Sequence, residues 1–340
     1  MDGALRPDSR LEDATVVCAV ERPDNLVPDG DGVLYSSGSD AFRFDPETGA
    51  SRLLRRFEAP IACLAAAEGV YAAGLEDGHV RVWREGAEIA DLRTLGGQAI
   101  MCPTALAFDG TSSLIVCNGS GRNPPGAWRH DLMQRQSSGS VWRVPLPGGT
   151  ARLAANNLAF PYGVVVSGAD LIVSESWRHR LLRVAPMSEP VPVLADLPGY
   201  PARLSAIAGG GYWLAVFAPR SQLIEFVLRE TAFRERMMRE IEPDHWLAPS
   251  LAPPQNFLEP MQGGALRMHS IIKPWAPTRS YGLAIRLDER FRPVESYHSR
   301  ANGRRHGVTA CLEWGDGALV ASKGGDAILH LHPKRGDQHE

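Results

Sequence analysis

The sequence predicts an all-β fold, a propeller built from repeated four-stranded sheets in one domain spanning residues 1–340. Two observations carry this. A unit of short apolar strand, polar loop and second strand recurs along the chain, and Gly- or Asp-containing turns separate the copies. The copies are GVLYSSGSDAFRFDPETG from Gly32, GVYAAGLEDGHVRVW from Gly69, SLIVCNGS from Ser113 resuming as GSVWRVPLPGG at Gly139, DLIVSESWRHRLLRV from Asp170, GYWLAVFAPRSQLIEFVL from Gly211 and GALVASKGGDAILHL from Gly317.

Within each copy, apolar residues alternate or run for four to six positions, as half-buried or fully buried strands do. Asp45-Pro46-Glu47-Thr48-Gly49 and Pro147-Gly148-Gly149 fall at hairpin positions, where glycine takes positive φ at little cost. Most copies account for two strands, and the intervening segments supply the others. Six copies in 340 residues average about 57 each, above the forty or so of a bare blade, so insertions are expected. One is placed around 121–138. A larger one, helical and Pro-rich, is placed at about 222–275 within the fifth unit. There Leu223, Val227, Leu228, Met237, Met238 and Ile241 fall on one helical face, and Pro243 ends the pattern. It is read either as a helix packed outside a blade or as a lid over the central channel. The N-terminal TVVCAVERPDNLV is expected to pair with the last unit and close the ring, removing free sheet edges.

Composition excludes several classes. The chain is 44% hydrophobic and 22% charged with a net charge of -3, an ordinary globular balance. No apolar run is long enough for a membrane helix, and the N-terminus lacks the h-region of a secretory signal. Arginine dominates the cations, lysine occurring only at Lys273, Lys323 and Lys334. The arginines are scattered, which argues against a nucleic-acid stripe. Five cysteines without a C-x-x-C pair suit reduced thiols, so a cytoplasmic protein is expected, with neither nucleic acid nor membrane as partner. No spacing of His, Cys and Asp supports zinc, the glycine clusters at 209–211 and 324–325 do not open helices, and Ser270-Ile271-Ile272-Lys273 lacks the companion motifs of an S-x-x-K enzyme.

LAFPYGVVVSGADLIVSESWRHRLLRV, DLPGYPARLSAIAGGGYWLAVFAPR, SYGLAIRLD and RHGVTACLEWGDGALVASKGG together resemble the strictosidine synthase-like family, related more distantly to gluconolactonase and paraoxonase propellers. The resemblance runs from about residue 22 to 332. It implies six blades and a site on the axis, commonly built around calcium held by Glu, Asn and Asp. Position by position, the early acidic ligand falls on Asp24 and the mid-chain Asn/Asp on Asn118. The Asn-Gly-Val motif is here Tyr162-Gly163-Val164, and Pro-Asp-Asn is Pro201-Ala202-Arg203. Calcium wants six to eight oxygens. Asp24 and Asn118 cannot supply them beside a permanent guanidinium, so no metal and no cofactor is expected. Arg203 is read as a replacement for the ion's charge, pairing with Asp24 or Glu175 or clamping a ligand anion, or as a plain internal salt bridge. The catalytic glutamate of strictosidine synthase falls on Val308, in His306-Gly307-Val308, which argues against Pictet–Spengler condensation.

His306, just before an inner strand, is the candidate general base, with Arg203 as oxyanion stabiliser and Glu175 as a third catalytic candidate or a blade tie. Asp24, Asn118, Tyr162, Trp177, Arg220, Lys273 and His298 are candidate substrate contacts. Arg178, Trp275, Arg279, Arg304 and Arg305 complete a cationic and aromatic set favouring an anionic or polyhydroxylated small molecule. His179 and His130 are weaker candidates for the base, and His330 and His332 are read as facing solvent. The expected function is hydrolysis of a small lactone or ester; the alternative is a binding propeller without turnover.

Overall fold

The computed structural model describes residues 3–253 and 278–332, together with the backbone of a short hairpin, Arg267–Met268 with Ile271–Ile272. Six four-stranded antiparallel sheets form a propeller. Their innermost strands are Asp24–Asp29, Ile61–Ala67, Pro103–Phe108, Pro161–Ser167, Gly199–Ala206 and Val308–Trp314, in blades 1 to 6. Five of the copies seen in the sequence are the second and third strands of a blade, joined by turn-rich hairpins. In the fifth copy only Tyr212–Pro219 is a strand, because residues 222–228 are helical and the third strand of that blade is Leu283–Leu287. Leu114, Ile115, Val116 and Cys117 of blade 3 are all fully buried, whereas the outermost strand Arg152–Leu158 starts with two exposed residues. Six apolar clusters fill the spaces between adjacent blades.

Ring closure follows the expected route in its first part only, since residues 24–27 of the expected segment begin the inner strand of blade 1 instead. Thr15–Ala19 supplies the outer strand of blade 6, pairing Thr15 with His330 and Ala19 with Ala327. The helices of both insertions lie where the sequence puts them, and residues 254–266, 269–270 and 273–275 of the larger one lie outside the described residues. Helix α1 (Trp128–Gln134) lies between the second and third strands of blade 3. Helices α2 (Gln222–Arg229) and α3 (Thr231–Glu240) follow the second strand of blade 5, Tyr212–Pro219, and precede its third, Leu283–Leu287.

The single helical face drawn through Leu223 to Ile241 needs correction. The chain leaves helical geometry at Glu230, which resets the phase, so Ile224, Val227 and Met237 are buried while Leu223 and Ile241 are exposed. The buried guanidinium of Arg234 donates to the Leu228 carbonyl and so satisfies one of the orphan acceptors at the end of α2. Buried residues of α1 (Leu132, Met133) join Val227, Met237, Trp246 and Tyr200 in one apolar cluster, which seats the helices against the strands of blade 5. No helix among the described residues is long and apolar enough to cross a membrane.

Candidate functional site

The axis is held by a charged cluster to which every blade contributes. Asp24 begins the inner strand of blade 1 and Arg203 lies within that of blade 5, with Arg203 Nη1 2.5 Å from Asp24 Oδ1. Arg203 Nη2 donates to the carbonyls of Ala62 in blade 2 (2.6 Å) and Thr104 in blade 3 (3.2 Å). Its guanidinium carbon sits 5.0 Å from the ring centre of Tyr162 in blade 4. From blade 6, Lys323 Nζ donates to Asp24 Oδ2 at 2.8 Å.

Burial alone would raise the Asp24 pKa, but Arg203 and Lys323 outweigh it and bring it down to about 2. Burial likewise acts to lower the pKa values of Arg203 and Lys323, and Asp24 reverses the sign, raising both. One carboxylate therefore stands against two cations, leaving a surplus positive charge at the axis.

This donor set does not fit calcium. Both oxygens of Asp24 accept from cations, and Asn118 Oδ1 accepts the backbone N–H groups of Met101 (3.2 Å) and Cys102 (2.7 Å). Arg203 gathers a carboxylate and two carbonyls, the kind of oxygens a calcium ion would collect. The expectation that Arg203 pairs with Asp24 agrees with this geometry. The same geometry also commits its terminal nitrogens to protein oxygens.

Arg203 stands between two openings. At one end of the axis, a cleft of about 340 Å³ is lined by apolar inner-strand residues such as Leu26, Leu64, Val164 and Leu312. At the other lie two adjoining clefts of about 580 and 430 Å³, which share Glu21, Arg22 and Lys323. Trp128 and His130 of α1, and Pro243, Asp244 and Ser250–Ala252 of the blade 5 insertion, wall the larger one. Part of that insertion thus borders the axial pocket, as a lid would. Arg129 on α1 ties it there, 2.7 Å from Asp244. Beneath this wall, Trp177 stacks on Phe160 with ring centres 4.4 Å apart and donates Nε1–H to Asp131 at 2.8 Å.

Several candidates are placed elsewhere. His306 is fully buried, its Nδ1 2.8 Å from Ser280 Oγ and its Nε2 2.7 Å from the Arg300 carbonyl. The carbonyl fixes Nε2 as donor, Nδ1 accepts from the hydroxyl, and no lone pair remains for a substrate proton. Burial lowers its pKa. Gly307, at φ +64°, turns the chain between His306 and the strand, and Ser280 and the Arg300 carbonyl take up the ring that the resemblance implies for the channel. His306→Ala is expected to lower stability by about 2 kcal/mol in urea unfolding, without removing a titration step from any pH–rate profile.

Glu175 is fully buried and ties blade 4 to itself, not one blade to another. It accepts from the Ala159 N–H (2.7 Å), Arg178 Nη1 (2.8 Å) and Arg180 Nε (2.5 Å), not from Arg203. His298 is enclosed by Tyr281 Oη (3.2 Å) and Ser296 Oγ (2.9 Å). Arg220 pairs with Glu225 at 3.2 Å beside α2, away from the axis. Lys273 and Trp275 lie outside the described residues.

One pocket residue, Lys323, escaped sequence reasoning as a substrate contact, and another, His130, is read from the sequence only as a weaker candidate for the base. Lys323 follows the second strand of blade 6, one position past Ser322, which holds the register place of Glu175 in blade 4 and Asn118 in blade 3, so a comparison of strand ends stops one residue short of it. His130 packs edge-on against Trp246, with ring centres 4.6 Å apart, and faces the larger cleft.

Fold and site together define a six-bladed propeller with clefts at both ends of its axis. Over 188 residues the chain is 26% identical to the strictosidine synthase-like 13 protein of Arabidopsis thaliana, covering 54% of this chain. The chain matches about half the length of that relative, 47%. Among solved structures it is similar to a gluconolactonase from Xanthomonas campestris, with TM-score 0.61, 12% identity, and 98% of this chain and 93% of that one covered. It is also similar to the calcium-binding protein regucalcin of Agrobacterium tumefaciens, with TM-score 0.54, 11% identity, and 94% and 92% covered. At these identities the structural likeness speaks for the fold alone. No family model matches the chain.

Proposed function

We propose that the axial pocket binds a small molecule carrying one negative charge or several hydroxyls, and that the reaction supported there is hydrolysis of a lactone or ester. The observation that carries this reading is Lys323. Among the described residues its ammonium has one acceptor, Asp24 Oδ2, and it lines both clefts of the open face. An ammonium has three donors. The two not used by Asp24 can take a ligand carboxylate or a developing oxyanion, where a fixed cation stabilises the transition state most. Arg203 serves as positioning residue, holding Asp24 so that Asp24 holds Lys323. His130, in the same cleft, is the imidazole placed to accept a proton from water.

Binding without turnover is the second reading, favoured by the axial carboxylate. Asp24, with a pKa near 2 and both oxygens engaged, is a poor base at neutral pH. Pictet–Spengler condensation is set aside because Val308 is fully buried in the apolar core. The proposal invokes no metal or cofactor and no nucleic-acid or membrane partner. The five unpaired cysteines suit the cytoplasm.

The test is a panel of sugar acids, their lactones and aryl esters, assayed in EDTA for thermal stabilisation and for turnover. Lys323→Met is expected to weaken binding roughly 10- to 100-fold, and Lys323→Arg to retain most of it. Unchanged binding in Lys323→Met removes the reading. Binding retained without turnover of any lactone or ester selects the binding propeller.

A further inference from the structure

We propose that Asp316, His330 and His332 form a site for a divalent transition ion of the zinc or nickel kind on blade 6, remote from the axial pocket. His330 ends the third strand of that blade, Ala327–Leu331, but for one residue, and His332 follows two positions on. Two residues apart on extended chain, they share one face. Their ring centres lie 4.2 Å apart with planes at 54°. Asp316 comes from the turn between the first two strands of the blade, where Trp314 pairs with Gly317. That turn meets the third strand because Ala318 pairs with Leu331 and Leu319 with His330. One ligand atom from each of the three residues lies within 4.8 Å of the other two.

A second observation points to a ligand. His330 Nε2 is buried and has no hydrogen-bond partner among the described residues, although a desolvated ring nitrogen needs one. The Trp314 carbonyl interacts with the same ring. A metal-bound histidine usually gives its other nitrogen to such a carbonyl, which fixes the tautomer and aims the lone pair at the ion. Tyr297 donates to the His332 carbonyl at 3.4 Å, holding the end of the strand in place.

Two imidazoles and one carboxylate suit zinc, nickel or copper and not the oxygen-seeking calcium or magnesium. Tetrahedral zinc with bonds near 2.0 Å sets ligand atoms about 3.4 Å apart, so the site closes with side-chain rotation. Three protein ligands leave one position for water. An ion here would pin the first hairpin of blade 6 to its third strand, which itself pairs with the closing strand at His330 and Thr15.

The experiment uses the untagged full chain, freed of metal by a chelator and dialysed. It is titrated with zinc, nickel and calcium by calorimetry, and with cobalt by visible absorption. The expected result is one equivalent of zinc or nickel per chain, no calcium heat, and a cobalt spectrum of four-coordinate type. His332→Ala and Asp316→Asn, both at exposed positions that keep the fold, are expected to weaken zinc at least tenfold and about threefold respectively. Zinc is also expected to raise the unfolding midpoint of the wild type and not that of His332→Ala. No zinc binding at 100 Kd-equivalents of a micromolar site, on the order of 0.1 mM, overturns the proposal, as does equal affinity in the wild type and both variants.

Discussion

Arg203→Met is expected to cost about 3–5 kcal/mol in stability, the largest loss from any single side chain at the axis. The substitution keeps length and apolar volume but removes the donors that join Asp24 to the carbonyls of Ala62 and Thr104. Two backbone acceptors lose a partner, and a carboxylate only 3% exposed keeps Lys323 alone as counter-charge. A surface pair would be worth at most about 1 kcal/mol. This one is buried, with side chains 4% and 13% exposed, so removing one partner leaves a charge that water cannot reach. Urea unfolding checks the prediction, with the midpoint falling and the slope unchanged. Calcium is expected to leave the wild-type midpoint where it is. A calcium-dependent rise would show that the guanidinium does not hold the position of an ion, and would falsify the electrostatic reading of the axis.

The ring of blades was legible because the second and third strands of each blade announce themselves. Apolar runs such as Leu114–Cys117 lie buried between sheets, and the turns joining them need Gly or Asp for steric reasons that act locally. The inner strands announce far less. Ile61–Ala67, with four alanines in seven residues, is made a strand by the sheets around it and not by its own propensity. The break at Glu230 left no mark in the apolar spacing, which reads as one face on either side of it.

Site residues divide along the same line. Asp24 and Arg203 are 179 positions apart, and only the family resemblance brought them to one place. Glu175 found its partners three and five residues on, Arg178 and Arg180, so a local reading sufficed to suspect a tie. For His306 the channel position comes from the resemblance, and nothing local in RRHGVT signals that Ser280 and the Arg300 carbonyl occupy both ring nitrogens. Lys323 lies one position past Ser322, the register equivalent of Asn118 and Glu175, so comparing strand ends between blades points to Ser322 and passes over the ammonium.

Asp24→Asn is expected to lower stability by about 2–3 kcal/mol at pH 7 and to flatten the acid limb of the unfolding curve. The sign follows from protonation. The Asp24 pKa falls from 3.8 to about 2 in the folded protein, so the folded state favours the carboxylate. Its contribution is complete above about pH 4 and is lost as pH falls through 4 towards 2. A shift near two pKa units corresponds to about 2–3 kcal/mol. Asparagine imitates the protonated acid in shape and charge, so the variant should start at neutral pH from where the wild type arrives at pH 2. The cost arises because Arg203 and Lys323, both pairing with Asp24, then face each other with no negative charge between them. Unfolding midpoints of the two proteins should converge as pH drops through this window. A constant gap from pH 7 to pH 2 would mean that the carboxylate is held by shape and not by charge. A double variant, Asp24→Asn with Arg203→Met, should recover part of the loss, since one unpaired cation is removed along with its partner. Recovery of binding should not follow. The ammonium of Lys323, freed from Asp24, loses the anchor that aims it into the open clefts.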